Sequence, residues 1–408
     1  MIVTIVADVL GEENNGTTIA CMNLIRHLRS QGDTVKVLTC DKTKKGLKDY
    51  YIVPTINLGP IINYMVKIND VELAKPDKKI IREALEGSDI CHVMIPFALG
   101  IASSNIAREM GIPVTAGFHA QAENFTSHLL LMNSNIANYF TYMSYWNKLY
   151  KKVDAIHYPT SFIKEYFENT ICEETNGYVI SNGVNDIFRY DKSLKENYDD
   201  GMIRILYIGR YSKEKSHQVL LKAIAKSKYK DKIQLILAGQ GPKRKKLEKL
   251  SEKLKLNKPI MKFYSRDELV RIINSSDLYC HVAEVEIEAI SCLEAISCGL
   301  VPIIANSKKS ATKSFAIDDR SLFKVNSPKD LAKKIDYLLD NPKEKEELSR
   351  KYLMMKNRYD QDECMNRMRE MMLEVINEKR KESDILQEYS YRWFRRNKYK
   401  PKKDIRKI

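Results

Sequence analysis

Strand-like and helix-like segments alternate along this chain, and the alternation starts over halfway through. Short apolar runs at residues 2–9, 34–39, 89–95, 114–118, 155–158 and 178–181 are separated by helical periodicity at 17–30, 77–86, 101–110, 135–152 and 162–167. Parallel strands need a crossover between them, usually a helix, so this half folds as a doubly wound parallel sheet. Residues 191–201 are polar and charged and read as a linker. Strands at 203–208, 233–237, 260–264, 278–282 and 301–304, with helices at 218–227 and 243–254, then repeat the scheme. At 408 residues the chain exceeds the usual size of one core. The expected fold is α/β, with two Rossmann-like doubly wound domains facing a cleft, over 1–188 and 189–360. A helix at 361–382 crosses back onto the first domain, and a basic aromatic tail fills 383–408. Ligands of such sheets bind at the carboxyl ends of the strands.

Composition narrows the class. Hydrophobic residues make up 44% of the chain, which is globular rather than disordered. The 8 cysteines have no C-x-x-C pair and no regular spacing, so a reducing compartment is expected. Cys91–His92 and Cys280–His281 sit in strand-like runs and read as core rather than metal ligands. A strand begins at the first residues, leaving no room for a leader, and no apolar run approaches the roughly 20 residues that span a bilayer. A cytoplasmic setting is therefore expected. The net charge of +15 calls for an anionic partner: a nucleotide, a nucleic acid or an anionic lipid surface. Near the end, Tyr389, Tyr391, Trp393, Phe394 and Tyr399 are interleaved with basic residues. That pattern alone permits nucleic-acid binding, but no recognition module accompanies it.

The chemistry-bearing block is EIEAISCLE, which places Glu286 and Glu294 eight positions apart. Helix formers run from Ala289 to Cys298, Gly299 ends the helix, and an apolar strand follows. Glu286 is then on the loop before the helix and Glu294 inside it. Carboxylates there can hold hydroxyl groups, while the free N–H groups near Ala289 and Ile290 hold a phosphate. A nucleotide sugar offers both. Solvated surface carboxylates are the ordinary explanation for such a pair, and the other motifs outweigh it. The strand at 203–208 runs into GRYSKEKS, so Gly209, Arg210 and Lys215 follow its carboxyl end, where an anion would lie. The next strand ends in GQGP, where Gly239 and Gly241 allow close backbone approach.

In this order and spacing, GRYSKEKS, GQGP and EIEAISCLEAISCGLVPII resemble the second domain of family 4 retaining glycosyltransferases, which have the GT-B fold. The resemblance covers nearly the whole chain. It implies that Glu286 contacts the sugar hydroxyls, Glu294 the ribose, and Arg210 and Lys215 the diphosphate. The family usually carries an aromatic–Gly pair two and three residues after the first Glu. Here Glu288 and Ala289 stand there, and Glu288 adds a negative charge near the donor, a departure that bears on the donor sugar's identity more than on the activity.

The first domain supplies the other wall. Gly16, in GEENNGTT, lets backbone approach a ligand, and the family has a Gly-containing loop there between donor phosphate and acceptor. No G-x-G-x-x-G is present, which disfavours a dinucleotide. GFHAQAEN places His119 at a strand end, and the family has a His there against the donor sugar. No Asp-x-Asp falls at a strand end, and Asp318–Asp319 reads as a turn; neither cofactor nor catalytic metal is implied. The aromatic- and Met-rich stretch 129–152 reads as core and dimer surface, or as an acceptor-side surface that meets membrane. The segments AKPDKKIIREAL and GFHAQAEN resemble bacterial enzymes that glucosylate diacylglycerol. The expected donor is UDP-glucose. The expected acceptor is a membrane lipid or, alternatively, a cell-envelope glycan, with the enzyme peripheral on the inner membrane face.

Overall fold

The computed structural model describes residues 1–8, 10, 16–56, 73–127, 131–196 and 198–398 of the chain, with side chains described to residue 385. Two parallel sheets organise it. The first holds β1 (Ile2–Ala7), β2 (Thr34–Thr39), β3 (Tyr50–Ile52), β4 (Ile90–Val93), β5 (Val114–Gly117), β6 (Ala155–Tyr158) and β7 (Gly177–Val179), in the order β3-β2-β1-β4-β5-β6-β7. Its helices are α1 (Gly16–Ser30), α2 (Lys78–Leu85), α3 (Ala98–Glu109), α4 (Ala122–Ser127), α5 (Asn135–Lys148) and α6 (Ser161–Ile171). Strand order reverses between β1 and β4, so the carboxyl ends of these strands open a crevice.

The second sheet runs β10-β9-β8-β11-β13-β15, built from β8 (Ile203–Ile208), β9 (Ile233–Ala238), β10 (Ile260–Lys262), β11 (Leu278–His281), β13 (Pro302–Asn306) and β15 (Leu322–Lys324). Around it lie α7 (His217–Ile224), α8 (Arg244–Lys253), α9 (Arg266–Asn274), α10 (Ile290–Ser297), α11 (Pro328–Asp340) and α12 (Pro342–Met355). A separate two-stranded ribbon pairs β12 (Val285–Glu286) with β14 (Lys309–Ser310). Each sheet is covered on both faces, so its strands read as continuous apolar runs rather than alternating ones.

The long helix α13 (Gln361–Lys398) returns to the first domain. Its Met365, Met368, Met371, Met372, Val375 and Ile376 join the core formed by β1, β2 and α1. Arg369 grips buried Asp33 with two hydrogen bonds, Nε to Oδ2 at 2.6 Å and Nη2 to Oδ1 at 3.1 Å. The helix runs well past the expected end at 382, because nothing between Gln361 and Lys398 breaks it: the span contains neither Gly nor Pro. Tyr389, Tyr391, Trp393 and Phe394 lie on this extension, where side chains are not described, and Tyr399 lies outside the described residues.

The passage between domains is at residues 180–185 rather than in the polar stretch 191–201. Val184 pairs with Asp360, so the outgoing and returning chain run side by side. The polar stretch is instead docked: Asp191 N–H donates to Asn274 Oδ1 at 2.9 Å and Glu196 N–H to Ser275 Oγ at 2.8 Å. Asp318 and Asp319 form the expected turn, with Asp318 capping a short 3-10 helix and chelating Arg320.

Candidate active site

The floor of the second domain's site is two loops locked together. A Cβ at Gly239 would lie 2.3 Å from the Gly209 carbonyl oxygen, and one at Gly241 would lie 2.7 Å from the Tyr211 nitrogen. Both glycines have φ near 155°. Their freedom therefore serves contact between the GRY and GQG turns, which Tyr211 N–H to Gln240 O (2.9 Å) closes. The stem of Lys215 passes over Gly209, whose own Cβ would sit 3.7 Å from Lys215 Cδ. Arg210 lies beside Glu214, its Nη2 3.8 Å from Oε1.

Lys215 Nζ makes an ion pair with Glu286 Oε1, which brings two of the expected donor-binding groups together. Behind them stands His281, fully buried in β11, with Nε2 3.4 Å from the same Glu286 oxygen. Burial alone would raise the Glu286 carboxyl, but Lys215 and then His281 outweigh it and hold it down at about 2. Burial lowers His281, and the carboxylate only partly restores it. Glu286 is thus a fixed anion that accepts hydrogen bonds, and Lys215 is the cation paired with it.

Ala289 precedes α10 with φ 59° and ψ 67°, in the left-handed region, and gives the helix no side-chain cap. This conformation is the reason glycine suits the position; alanine bears a strain of roughly 1 kcal/mol or more there. The uncapped N-terminus, starting at Ile290, leaves N–H groups for an anion. Glu294 lies one turn into α10 and is half-buried; burial raises it to about 7 against the pull of Arg266.

Glu288, expected to add a negative charge near the donor, is held at the domain junction. The residue is 3% exposed. It accepts from Ser181 Oγ, from the Asn182 side-chain amide, and from Asn182 N–H, which is 3.2 Å from each oxygen. Burial raises it to about 7 although these donors favour the ionised form.

The other wall carries His119, whose carbonyl accepts from Thr17 Oγ1 at 3.4 Å. Gly16 is exposed at the start of α1, and a Cβ there would meet nothing within 4 Å. The loop at 11–15 lies outside the described residues. Burial, then the nearby His157 and His92, keep His119 well below the ordinary histidine range, so it is neutral at physiological pH. Its ring meets His157 edge-on with centroids 5.3 Å apart. A Cβ on Gly117 would strike the His119 ring at 2.5 Å, so Gly117 makes room for it.

The two walls touch through the segment that follows β12. Ile287 packs on the first-domain core, and its carbonyl accepts from Thr160 Oγ1 at 2.9 Å. Thr160 also caps α6, which fixes its hydroxyl. On β14, the Lys309 carbonyl accepts from buried Gln121 Nε2 at 3.0 Å. Sequence reading placed His281 in the core, where it is, without its contact to Glu286, and missed Gly117, Gln121, Lys309 and the Ser181–Asn182 pair. The signal for that contact was the place of His281, five residues before Glu286 at a strand's end.

Two facing parallel-sheet domains joined in this way have the architecture of GT-B glycosyltransferases. The superposable solved structures agree: HepE of Anabaena, in complex with UDP and glucose, covers 92% of this chain and all of its own at TM-score 0.71 and 15% identity. Residues 14–187 match the profile described as Glycosyltransferase Family 4 and residues 188–352 that of Glycosyl transferases group 1. The chain belongs to the family 4 glycosyltransferases. Among named relatives, alpha-monoglucosyldiacylglycerol synthase of Streptococcus pneumoniae is 24% identical over 235 residues, 53% of this chain and 52% of that protein. The match thus spans about half that relative's length. A GDP-mannose-dependent alpha-mannosyltransferase of Corynebacterium glutamicum is 23% identical over 333 residues, 74% of this chain and 72% of that protein.

Proposed function

We propose that this enzyme is a retaining glycosyltransferase that moves glucose from UDP-glucose to a membrane lipid such as diacylglycerol, working at the cytoplasmic face of the membrane. The observation that carries the donor half is the Lys215–Glu286 pair beside the uncapped N-terminus of α10. Lys215 and Arg210 hold the diphosphate, with the α10 N–H groups at Ala289 and Ile290. Glu286 accepts from the sugar hydroxyls, Glu294 from the ribose, and neutral His119 hydrogen-bonds the sugar from the first domain. The bond from the sugar's C1 to the departing phosphate breaks as the bond from C1 to the acceptor oxygen forms. The acceptor's proton passes to the departing phosphate oxygen on the same face. Lys215 then meets a growing negative charge, which is where a preorganised cation lowers a barrier most.

The acceptor half rests on α4 and α5. Ile136, Tyr139 and Phe140 lie at i, i+3 and i+4 and are exposed, Ile136 to 72% and Phe140 to 66%. Phe125 and Leu131 extend the patch. The opposite face of α5 is core: Tyr142, Tyr145 and Trp146 are buried against Phe118 and Phe167. One face of the 129–152 stretch is thus core, and the exposed apolar face supports the reading of an acceptor-side surface that meets membrane; Leu129 itself lies outside the described residues. Among the described residues no helix is long and apolar enough to cross a membrane. The name of the Streptococcus pneumoniae relative supports a diacylglycerol-type acceptor. A second reading, mannosyl transfer from GDP-mannose, is favoured by the longer match to the mannosyltransferase.

A panel of nucleotide sugars, incubated with and without anionic vesicles containing diacylglycerol, tests both halves. UDP-glucose turnover that rises with vesicles and yields a glycolipid supports the proposal. Turnover of GDP-mannose alone overturns the donor, and turnover indifferent to vesicles overturns the lipid acceptor and leaves the glycan alternative.

A further inference from the structure

The segment that bears Glu286 belongs to the second domain but is held from both sides by the first domain and the inter-domain passage. On its carboxyl side, Ile287 packs into the first-domain core and binds Thr160, and the buried Glu288 carboxyl takes up Ser181 and Asn182 in the passage. On its other flank, β12 is paired to β14, with Val285 opposite Lys309 and Glu286 opposite Ser310. Lys309 in turn is gripped by the first domain. Its carbonyl accepts from Gln121, and its ammonium donates to Asn133 Oδ1 at 2.8 Å and to the Met132 carbonyl at 3.3 Å. Met132 and Asn133 immediately precede Ser134, the N-cap of α5, whose outer face is the apolar patch. A ribbon of two-residue strands has little stability of its own, so its position is set by what holds its ends.

We propose that Glu288 and Lys309 are positioning residues that clamp the donor carboxylate Glu286 to the first domain, so that its geometry is set only while the two domains are shut. Lys309 links the segment leading into α5 to the strand carrying Glu286. A change at the acceptor-side surface therefore reaches the donor through Asn133, Lys309 and β14. Donor cleavage in the open enzyme is suppressed because Glu286 is then out of place. This inference rests on the reading of Glu286 as a sugar-binding group.

The test uses the full-length enzyme and the variants Lys309→Met, Lys309→Arg and Glu288→Ala. Lys309→Met is expected to lower kcat for transfer roughly 10- to 100-fold with the affinity for UDP within about threefold of the parent, since a displacement of an ångström at the reacting group costs that much. Lys309→Arg, which retains donors at the end of a long side chain, is expected to recover most of the loss. Hydrogen exchange supplies a readout that does not need turnover. Amides of residues 285–289 and 309–310 should exchange at least about tenfold faster in Lys309→Met and Glu288→Ala than in the parent. Unchanged exchange in Lys309→Met, or a loss of UDP affinity matching the loss of kcat, overturns the clamp. A parent enzyme inactive on every donor, with faster exchange still seen in the variants, overturns the proposed function and leaves the clamp standing.

Discussion

At the residue scale the site turns on which charges are paired before a donor arrives. Lys215 and Glu286 neutralise one another, and under the proposed function a diphosphate takes Lys215 over while the sugar takes Glu286. Replacing Lys215 with Ala removes the cation proposed to meet the diphosphate and leaves the buried Glu286 carboxylate beside His281. We expect kcat to fall by about 100-fold or more, measured as steady-state turnover; turnover within threefold of the parent would remove Lys215 from the diphosphate site. Glu288 gives a pH prediction. Its folded value, about 7, lies above the 4.5 of an ordinary Glu, so the folded state holds a proton that the unfolded chain releases. The associated stability is complete below about pH 4.5 and is lost as the pH rises through about 7, amounting to about 3 kcal/mol at most. Glu288→Gln should flatten the fall in Tm between pH 4.5 and 7.5, and a slope identical to the parent's would place the ionisation elsewhere. The meeting of Lys215 with Glu286 was legible in the sequence, because two spaced motifs name both residues. Gln121, Lys309 and Ser181 were not, because their importance comes from partners more than a hundred positions away.

At the scale of elements, apolar runs and caps located most strands and helices, and β2, β6 and β8 fall where the runs predict. Several elements escaped. Helix α9 opens with a full capping box at Ser265 and Glu268, and α11 with Ser327 followed by proline, both readable signals that apolar periodicity alone passes over. Strands β12 and β14 had no signal, since two residues set no period and their pairing is tertiary. Helix α13 had a strong one in its methionines. Four of them are buried against β1, β2 and α1, which makes the return helix part of the first domain's core. Met372 is completely buried, so Met372→Ala should cost about 2–5 kcal/mol in urea unfolding. A loss below about 0.5 kcal/mol would mean that α13 is only laid against the domain rather than built into it.

At the scale of the whole molecule, the two halves were legible as a repeated pattern, while their junction was not, because EIE gives no local hint that each residue has a different destination. Glu286 faces Lys215, Ile287 enters the first domain's core, and Glu288 holds the inter-domain passage. The net charge of +15 and the exposed apolar face of α5 belong to this scale as well. An anionic bilayer would use both: apolar side chains entering the acyl boundary contribute about 1.5–3 kcal/mol each when fully buried, and each nearby Lys or Arg about 1 kcal/mol. The two contributions separate by salt, which screens the second and leaves the first. The double variant Ile136→Ser and Phe140→Ser should therefore bind vesicles containing anionic lipid at least about tenfold more weakly in co-sedimentation, and the remaining binding should disappear between low and physiological salt. The parent should keep part of its binding at that salt, because its apolar side chains stay inserted. Equal binding of parent and variant at every salt concentration would mean that α5 does not meet the membrane, and that this face is instead covered by a second copy of the chain or by a glycan acceptor.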